Sequence, residues 1–266
     1  MTNLNLFEKA LRRENYAENT ILAYKHAARD YLTRYKSLTK DNLLCYRAEL
    51  IDHYSPKTVN LRVRAVNKYL EFCGRTELKI RSIKIPKSSF LENVISQEDY
   101  HLFKSRLRKE GDLRWYFIVW ALAATGARIS ELVRFQVEHV RAGFVDLCSK
   151  GSKVRRIYFP TRLRRELLEW AGDRERGLFV NRFGEPLTPR GIALRLKEKA
   201  VQYGIDPDLV HPHAFRHLYA KNFLQRSSDL VLLADLLGHD SVDTTRIYLQ
   251  RSSREQGELI NRIVDW

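Results

Sequence analysis

Cysteine is scarce in this chain: three in 266 residues, Cys45, Cys73 and Cys148, with no C-x-x-C pair among them. That spacing excludes a disulfide framework and a Cys-based zinc site, and it fits a reducing, cytoplasmic compartment. Proline and glycine are also few, 7 and 12, too few for a fibrous or low-complexity chain. No apolar run exceeds the ten residues 115–124, well short of the roughly 20 needed to cross a bilayer, and no signal-peptide h-region opens the chain, so neither a membrane partner nor secretion is expected. G-x-x-x-x-G-K-[ST], G-x-G-x-x-G and H-E-x-x-H are all missing. The local devices of nucleotide hydrolysis, dinucleotide redox chemistry and zinc hydrolysis are therefore absent, and no cofactor or metal is expected.

What is present begins with 44% apolar residues, enough for folded cores, in a length that suits two domains. Acidic residues are outnumbered: 47 Lys and Arg against 32 Asp and Glu leave a net charge of +15 and a pI near 9.8. The excess is not a tail. Residues 1–95 hold 18 basic and 10 acidic side chains, and residues 96–266 hold 29 and 22. Both halves would be drawn to phosphate, which points to a nucleic-acid partner.

Hydrophobic periodicity organises the first part into helices. Residues 20–35 place Ile21, Tyr24, Ala28, Tyr31 and Leu32 on one face, and Ser55-Pro56 opens a second clear helix with Val59, Val63, Val66 and Leu70 inward, stopped at Gly74. With weaker helices at 4–11 and 42–51, residues 1–85 read as a compact four-helix domain with basic outer faces. Residues 86–95, containing Pro86-Lys87-Ser88-Ser89, read as the linker and 96–266 as a second domain. Ser96 caps a helix running to about Arg108, and 115–124 reads as a helix buried all round. Residues 144–159 form a β-hairpin with Gly151 in its turn. Beyond it Phe179-Val180 suggests a brief strand, Thr188 caps a helix to Gln202, and further helices are expected near 215–225, 229–236 and 243–249. The fold class is mainly α with a small antiparallel β-sheet.

Five segments carry chemistry: ATGARISEL around Arg128, SKGSKVRRIYF around Lys153, HPHAFRH around His213 and Arg216, LLGHDS around His239, and TTRIYLQ around Tyr248. Together they resemble the tyrosine recombinase family of phage integrases and Xer-type recombinases, most closely the Xer type, and AENTILAYKHAARDYL resembles that family's N-terminal core-binding domain. The resemblance implies a mixed α/β catalytic domain with Arg128, Lys153, His213, Arg216, His239 and Tyr248 as its catalytic set, and Glu131 in support. Leu218 and Phe215 depart from the family's usual residues without touching that set. His217 has no assigned role.

The residue types suit such chemistry. Breaking a phosphodiester without a metal leaves the protein to neutralise the charge that builds on the non-bridging oxygens. Arg128 and Arg216, permanently charged planar forks, fit as the phosphate clamp. His213, three residues before Arg216, can take the phenolic proton. His239 would hydrogen-bond the phosphate. The resemblance makes Lys153 the acid for the departing 5′ oxygen, and Lys150 is its competitor. Tyr248 would be the nucleophile, its covalent link conserving the bond energy so that rejoining needs no ATP.

The function implied is site-specific recombination of double-stranded DNA at inverted half-sites, through a 3′-phosphotyrosyl intermediate and a Holliday junction. The alternatives are an architectural DNA-binding protein without catalysis and a type IB topoisomerase-like activity. The chain starts too close to its first helix for the arm-binding domain of many phage integrases, so a simple recombinase of core sites is expected. The two domains are expected to clamp one duplex, with Lys57, Arg62, Arg64 and Lys68 of the helix after Ser55 contacting DNA. Four cleavages per exchange imply a homotetramer, with a second recombinase as a possible partner. A tail helix opened by Ser252, with Leu259, Ile260, Ile263, Val264 and Trp266 on its apolar side, is expected to dock on a neighbouring protomer.

Overall fold

The structure is a computed structural model that describes residues 3–85, 94–148, 154–239, 241–250 and 253–264. The chain divides into two compact units, Met1–Lys87 and Ser88–Trp266. Among the described residues, no helix is long and apolar enough to cross a membrane.

The first unit holds four helices, α1 (Asn3–Arg13), α2 (Glu18–Arg34), α3 (Lys40–His53) and α4 (Pro56–Phe72). Pro56 starts α4 at the position where a missing N–H costs nothing, and Gly74 takes φ +69° beyond its end. Val59, Val63, Val66 and Leu70 all point into one core with Tyr31, Leu43, Tyr46 and Leu50, as their spacing requires. Phe7, Leu11, Ile21, Ala28 and Tyr69 form a second layer. Residues after α4 continue this unit rather than leaving it. Asn67 and Asn60 on α4 make reciprocal side-chain bonds to the backbones of Ile80 and Ile83, at 2.8–3.0 Å, so a half-buried and a buried amide pin an otherwise irregular segment. Most of the expected linker, 86–93, lies outside the described residues; Ile95 is buried in the second unit's core.

The second unit is built on α6 (Leu113–Thr125), which is buried on every side from Tyr116 to Ala123. Packed near it are α5 (Gln97–Lys109), α9 (Thr161–Ala171) and α11 (Pro212–Ser227). Ser96 caps α5 by accepting from Asp99 N at 3.0 Å, and Thr188 caps α10 (Pro189–Gln202) by accepting from Gly191 N. The hairpin is present as β1 (Phe144–Cys148) and β2 (Val154–Tyr158), antiparallel with Leu147 opposite Arg155. Two short helices, α7 (Ile129–Leu132) and α8 (Val137–Ala142), precede it. The brief strand expected at Phe179-Val180 is reduced to a single bridge from Val180 to Pro186, because the turn at Asn181 to Gly184 closes at once. The last part comprises α12 (Leu230–Leu237), α13 (Val242–Arg246), a 3₁₀ turn Ile247–Leu249 and α14 (Ser253–Ile263). The single helix expected over 243–249 is thus split: α13 tightens into a 3₁₀ turn that carries Tyr248.

Candidate active site

Two helix ends make the floor of the site. α6 stops at Gly126 and α12 at Gly238, each glycine left-handed with φ near +60°. Such ends leave backbone carbonyls without helical partners and carry partial negative charge. Three guanidinium groups satisfy them. Arg216, from α11 and only 2% exposed, donates from Nη1 to Gly126 O at 2.7 Å and from Nη2 to Leu237 O at 2.5 Å. Arg155, from β2, donates from Nε to Leu236 O at 2.7 Å and from Nη2 to Gly126 O at 3.2 Å. Arg128, just ahead of α7, donates from Nη2 to Gly238 O at 3.0 Å.

Both glycines are required by shape as well as by backbone. A Cβ on Gly126 would stand 2.6 Å from Tyr219 Cδ1, and one on Gly238 would stand 2.6 Å from Arg155 Cδ. The carboxylate of Glu131 organises two of the cations, accepting from Arg128 Nη1 at 2.9 Å and from Arg155 Nη1 at 2.6 and 2.8 Å. It also accepts the Arg128 backbone N–H at 2.6 Å. Burial alone would raise its pKa, but Arg155 and then Arg128 override that, and the carboxyl is held below its ordinary value. Arg216 is pushed down to about 10, first by burial and then by Arg155 and Arg128, and so stays charged at neutral pH.

The remaining groups line one side of Arg216. His211 caps α11 through Nδ1, which accepts from Ala214 N at 3.1 Å. That cap sets His213 in the first turn of α11, exposed on the helix that carries Arg216. Desolvation, then Arg216, lowers the His213 pKa. His239 follows Gly238; its Nε2 lies 3.1 Å from Arg216 Nη2 and its Nδ1 2.8 Å from Thr245 Oγ1. Tyr248 is 8% exposed and packs on Ala220, Leu233 and Leu237. Its ring lies nearly parallel to His239 at 6.0 Å and meets His217 edge to face at 4.9 Å. Burial pushes His217 down to about 4, and its buried Nδ1 has no hydrogen-bond partner.

Arg128, Glu131, Arg216, His239 and Tyr248 are therefore brought together, with His213 on the same helix as Arg216. Lys153 lies outside the described residues, as does Lys150; β2 begins immediately after Lys153. Among the described residues, no group of three or more His, Cys, Asp or Glu could hold a metal ion. Sequence reasoning missed two residues of the cluster, Arg155 and Thr245. For Arg155 a signal was available: the alternation of β2 buries Arg155 and Ile157 on one face, and a charge on an apolar face marks a paired group. Of the four basic residues on α4, Arg62 is held by Asp30 at 2.6 Å and lies over the Tyr54 ring. Lys68 is held by Glu14 and Glu71 at 2.7 and 3.2 Å. Lys57 and Arg64 are exposed, with Arg64 Nε donating to Asn60 O.

A cluster of guanidinium groups about a buried tyrosine, on the helical unit just described, defines a phosphodiester-handling class, and comparison with known proteins names it. The phage integrase family matches residues 93–255, and the chain belongs to that family, the tyrosine recombinases, enzymes that break and rejoin DNA. It is 32% identical to the tyrosine recombinase XerA of Pyrococcus furiosus over 271 residues, covering 97% of this chain and 93% of the relative. It is 26% identical to the tyrosine recombinase XerD of Oceanobacillus iheyensis, covering 87% of each. Among solved structures, the Tn1549 transposon integrase in complex with circular intermediate DNA shares the fold with a TM-score of 0.74. It is 17% identical, covering 99% of this chain and 100% of that one.

Proposed function

We propose that this site cuts and rejoins duplex DNA by attack of the Tyr248 hydroxyl on a backbone phosphate. The new bond is phosphorus to Tyr248 Oη, and the bond broken is phosphorus to the 5′ oxygen. His213 accepts the phenolic proton, and Lys153 returns a proton to the leaving 5′ hydroxyl. Rejoining runs the same steps backward with a 5′ hydroxyl from the other duplex, by way of a Holliday junction. The observation that carries this reading is the burial of Tyr248 against His239 while His239 itself touches Arg216.

Donor counting separates the arginines. Arg216 has five N–H groups, of which three are engaged by Gly126, Leu237 and His239, so two remain for a phosphate. The Arg128 side chain is 34% exposed and keeps donors beyond those to Glu131 and Gly238. These two form the clamp. Arg155, whose Nε, Nη1 and Nη2 are all engaged by Leu236 O, the Glu131 carboxylate and Gly126 O, holds the frame instead. Glu131 supports Arg128 and Arg155.

The partner is double-stranded DNA with inverted half-sites, gripped by both basic units, with Lys57, Arg62, Arg64 and Lys68 as the α4 contacts. A DNA substrate nicked beside the cleavage point tests the chemistry. Wild-type protein should remain covalently attached to it without metal or ATP; attachment that persists in Tyr248→Phe would refute the nucleophile.

Exchange of both strands of two duplexes assigns four protomers, of this chain alone or together with a second recombinase. Ile260 and Ile263 of α14 and Val264 just after it are exposed, Ile260 at 56%, which supports docking of these apolar side chains on a neighbouring protomer. Ser252 and Trp266, and the side chain of Leu259, fall outside the described residues. Removing residues 257–266 should leave a folded protein that binds a half-site but recombines poorly. Normal recombination by that truncation would place the tail outside the assembly.

A further inference from the structure

A cavity of about 640 Å³ opens at the start of α6 in the second unit, a size within the range of small-molecule sites. α6 runs about 20 Å from here to its other end, where Gly126 enters the floor of the candidate active site, so the two places are distinct. The cavity wall joins three arginines to two indoles. Arg114 and Trp115 come from the first turn of α6, Trp170 and Arg174 from the end of α9 and just beyond it, and Arg195 from α10. Asp112 is the one carboxylate among the described residues that line it, and Lys199 holds that group at 3.1 Å. Arg174 lies over the Trp170 ring at 4.2 Å and gives one N–H to Trp170 O at 3.2 Å and one to Leu178 O at 3.4 Å, which leaves three of its five donors. Burial, then the charge of Arg114, lowers its pKa. Arg114 is half-buried and, among the described residues, makes no hydrogen bond or ion pair. Arg195 is exposed and pairs with Glu198 at 2.8 Å.

Two guanidinium groups near each other, with no acid between them, match the oxygens of a phosphate. The indoles divide the rest of the work. The Trp170 ring is covered by Arg174 and by Phe117 at 5.0 Å. Trp115 is half-buried, packs on the core, and among the described residues has no ring or cation stacked on it, so its ring is a flat surface on which a base can stack. We propose that this cavity binds a nucleoside monophosphate, its phosphate held by Arg114 and Arg174 and its base against Trp115. A small inorganic anion would use the arginines and leave the indole idle, and an uncharged aromatic would use the indole alone. A nucleotide uses both. No phosphate-binding G-x-x-x-x-G-K-[ST] loop accompanies it, and no hydrolysis is assigned: the nucleotide is a ligand and supplies no energy to the breaking or rejoining of DNA.

The full chain labelled with ¹⁵N-tryptophan reports on the cavity through its indole N–H signals, identified with Trp115→Phe, Trp120→Phe and Trp170→Phe. AMP is the probe, with adenosine, inorganic phosphate and the single strand (dA)4 as comparisons. The expected result is saturable movement of the Trp115 and Trp170 signals by AMP, while the signal of Trp120, whose ring lies under Lys104 at 3.7 Å, stays in place. Arg114→Ala removes a side chain that holds no partner among the described residues, so the variant should fold normally and bind AMP about 10-fold or more weakly, as expected for the loss of one charge-assisted contact. Adenosine and inorganic phosphate, each offering half of the ligand, should bind less tightly than AMP by about 10-fold or more. AMP that moves no indole signal, or moves that of Trp120 equally, overturns the proposal, as does an unchanged AMP affinity in Arg114→Ala. Inorganic phosphate that binds as tightly as AMP would make this an anion site and overturn the nucleotide. Movement of the same signals by (dA)4 at a concentration lower than that of AMP by about 10-fold or more would give the cavity to a DNA strand and overturn the free ligand. None of these readouts involves Tyr248, so their failure leaves the proposed cleavage chemistry standing.

Discussion

Glu131 and Arg155 form an ion pair at the bottom of the site, Nη1 to Oε2 at 2.6 Å, with the arginine side chain 2% and the glutamate side chain 14% exposed. The pair is a consequence of three cations meeting where two helices end. Without a carboxylate among them, burial of Arg155 beside Arg128 and Arg216 would be too costly to hold.

Replacing Glu131 by Gln keeps the shape and removes the charge, leaving a buried arginine without its counter-ion. A loss of about 3–5 kcal/mol in urea denaturation is expected, the range for breaking one side of a buried pair. The sign of the pH effect follows from the direction of the shift. Because the folded carboxyl lies below its ordinary value of 4.5, its contribution is complete above that pH and is lost as pH falls through the lower, folded value. Wild-type stability should therefore drop more steeply than that of Glu131→Gln on acidification below about 4.5. Parallel acid profiles would show that the pair adds no stability.

Gly126 tests the helix-end floor directly. Gly126→Ala meets both a left-handed backbone, costing about 1–2 kcal/mol, and the ring of Tyr219 at 2.6 Å. Gly74→Ala is the matched control, since Gly74 has φ +69° and nothing within 4 Å of an added Cβ. Thermal unfolding should show the Gly126 variant the less stable of the two, and cleavage should fall with it because Gly126 O anchors both Arg155 and Arg216. Equal losses in stability would mean that Tyr219 simply moves aside.

On α4 the two pairs of basic residues should behave differently. Arg64→Ala and Lys57→Ala should leave folding intact, weaken DNA binding and reduce the slope of log affinity against log salt by about 1 for each phosphate that no longer meets a cation. Arg62→Ala strips Asp30 of its cation, and Asp30 also accepts from Tyr46 Oη at 2.9 Å, so that variant should lower the unfolding temperature as well. Fluorescence anisotropy across a salt series, with melting curves, distinguishes them. An Arg64→Ala protein with unchanged affinity and salt slope would remove that residue from the DNA surface.

The long helices were legible because their apolar faces repeat at helical spacing and their ends carry Ser, Thr, Pro and Gly where caps belong. α7 and α8 were not legible, being only four and six residues long, too short for periodicity to register. The segment after α4 read as polar because Asn60 and Asn67 hold it from another element, and such long-range side-chain bonds leave no local pattern. The site showed the same division. Arg128, Arg216, His239 and Tyr248 stood in distinctive motifs, whereas Arg155 followed a basic stretch, Lys153-Val154-Arg155-Arg156, in which only strand alternation singles it out. Thr245 could not be found from sequence, since its partner is chosen by how α13 folds back toward α12.

The central claim is that one tyrosine, Tyr248, becomes joined to DNA. Digesting the protein trapped on a nicked substrate and locating the phosphate by mass spectrometry decides it among the 13 tyrosines of the chain. The nucleotide remnant should sit on the peptide TTRIYLQ, attached through Tyr248 to a 3′ phosphate. A remnant on any other tyrosine, or a 5′-phosphate linkage at Tyr248, would contradict the reading of this site.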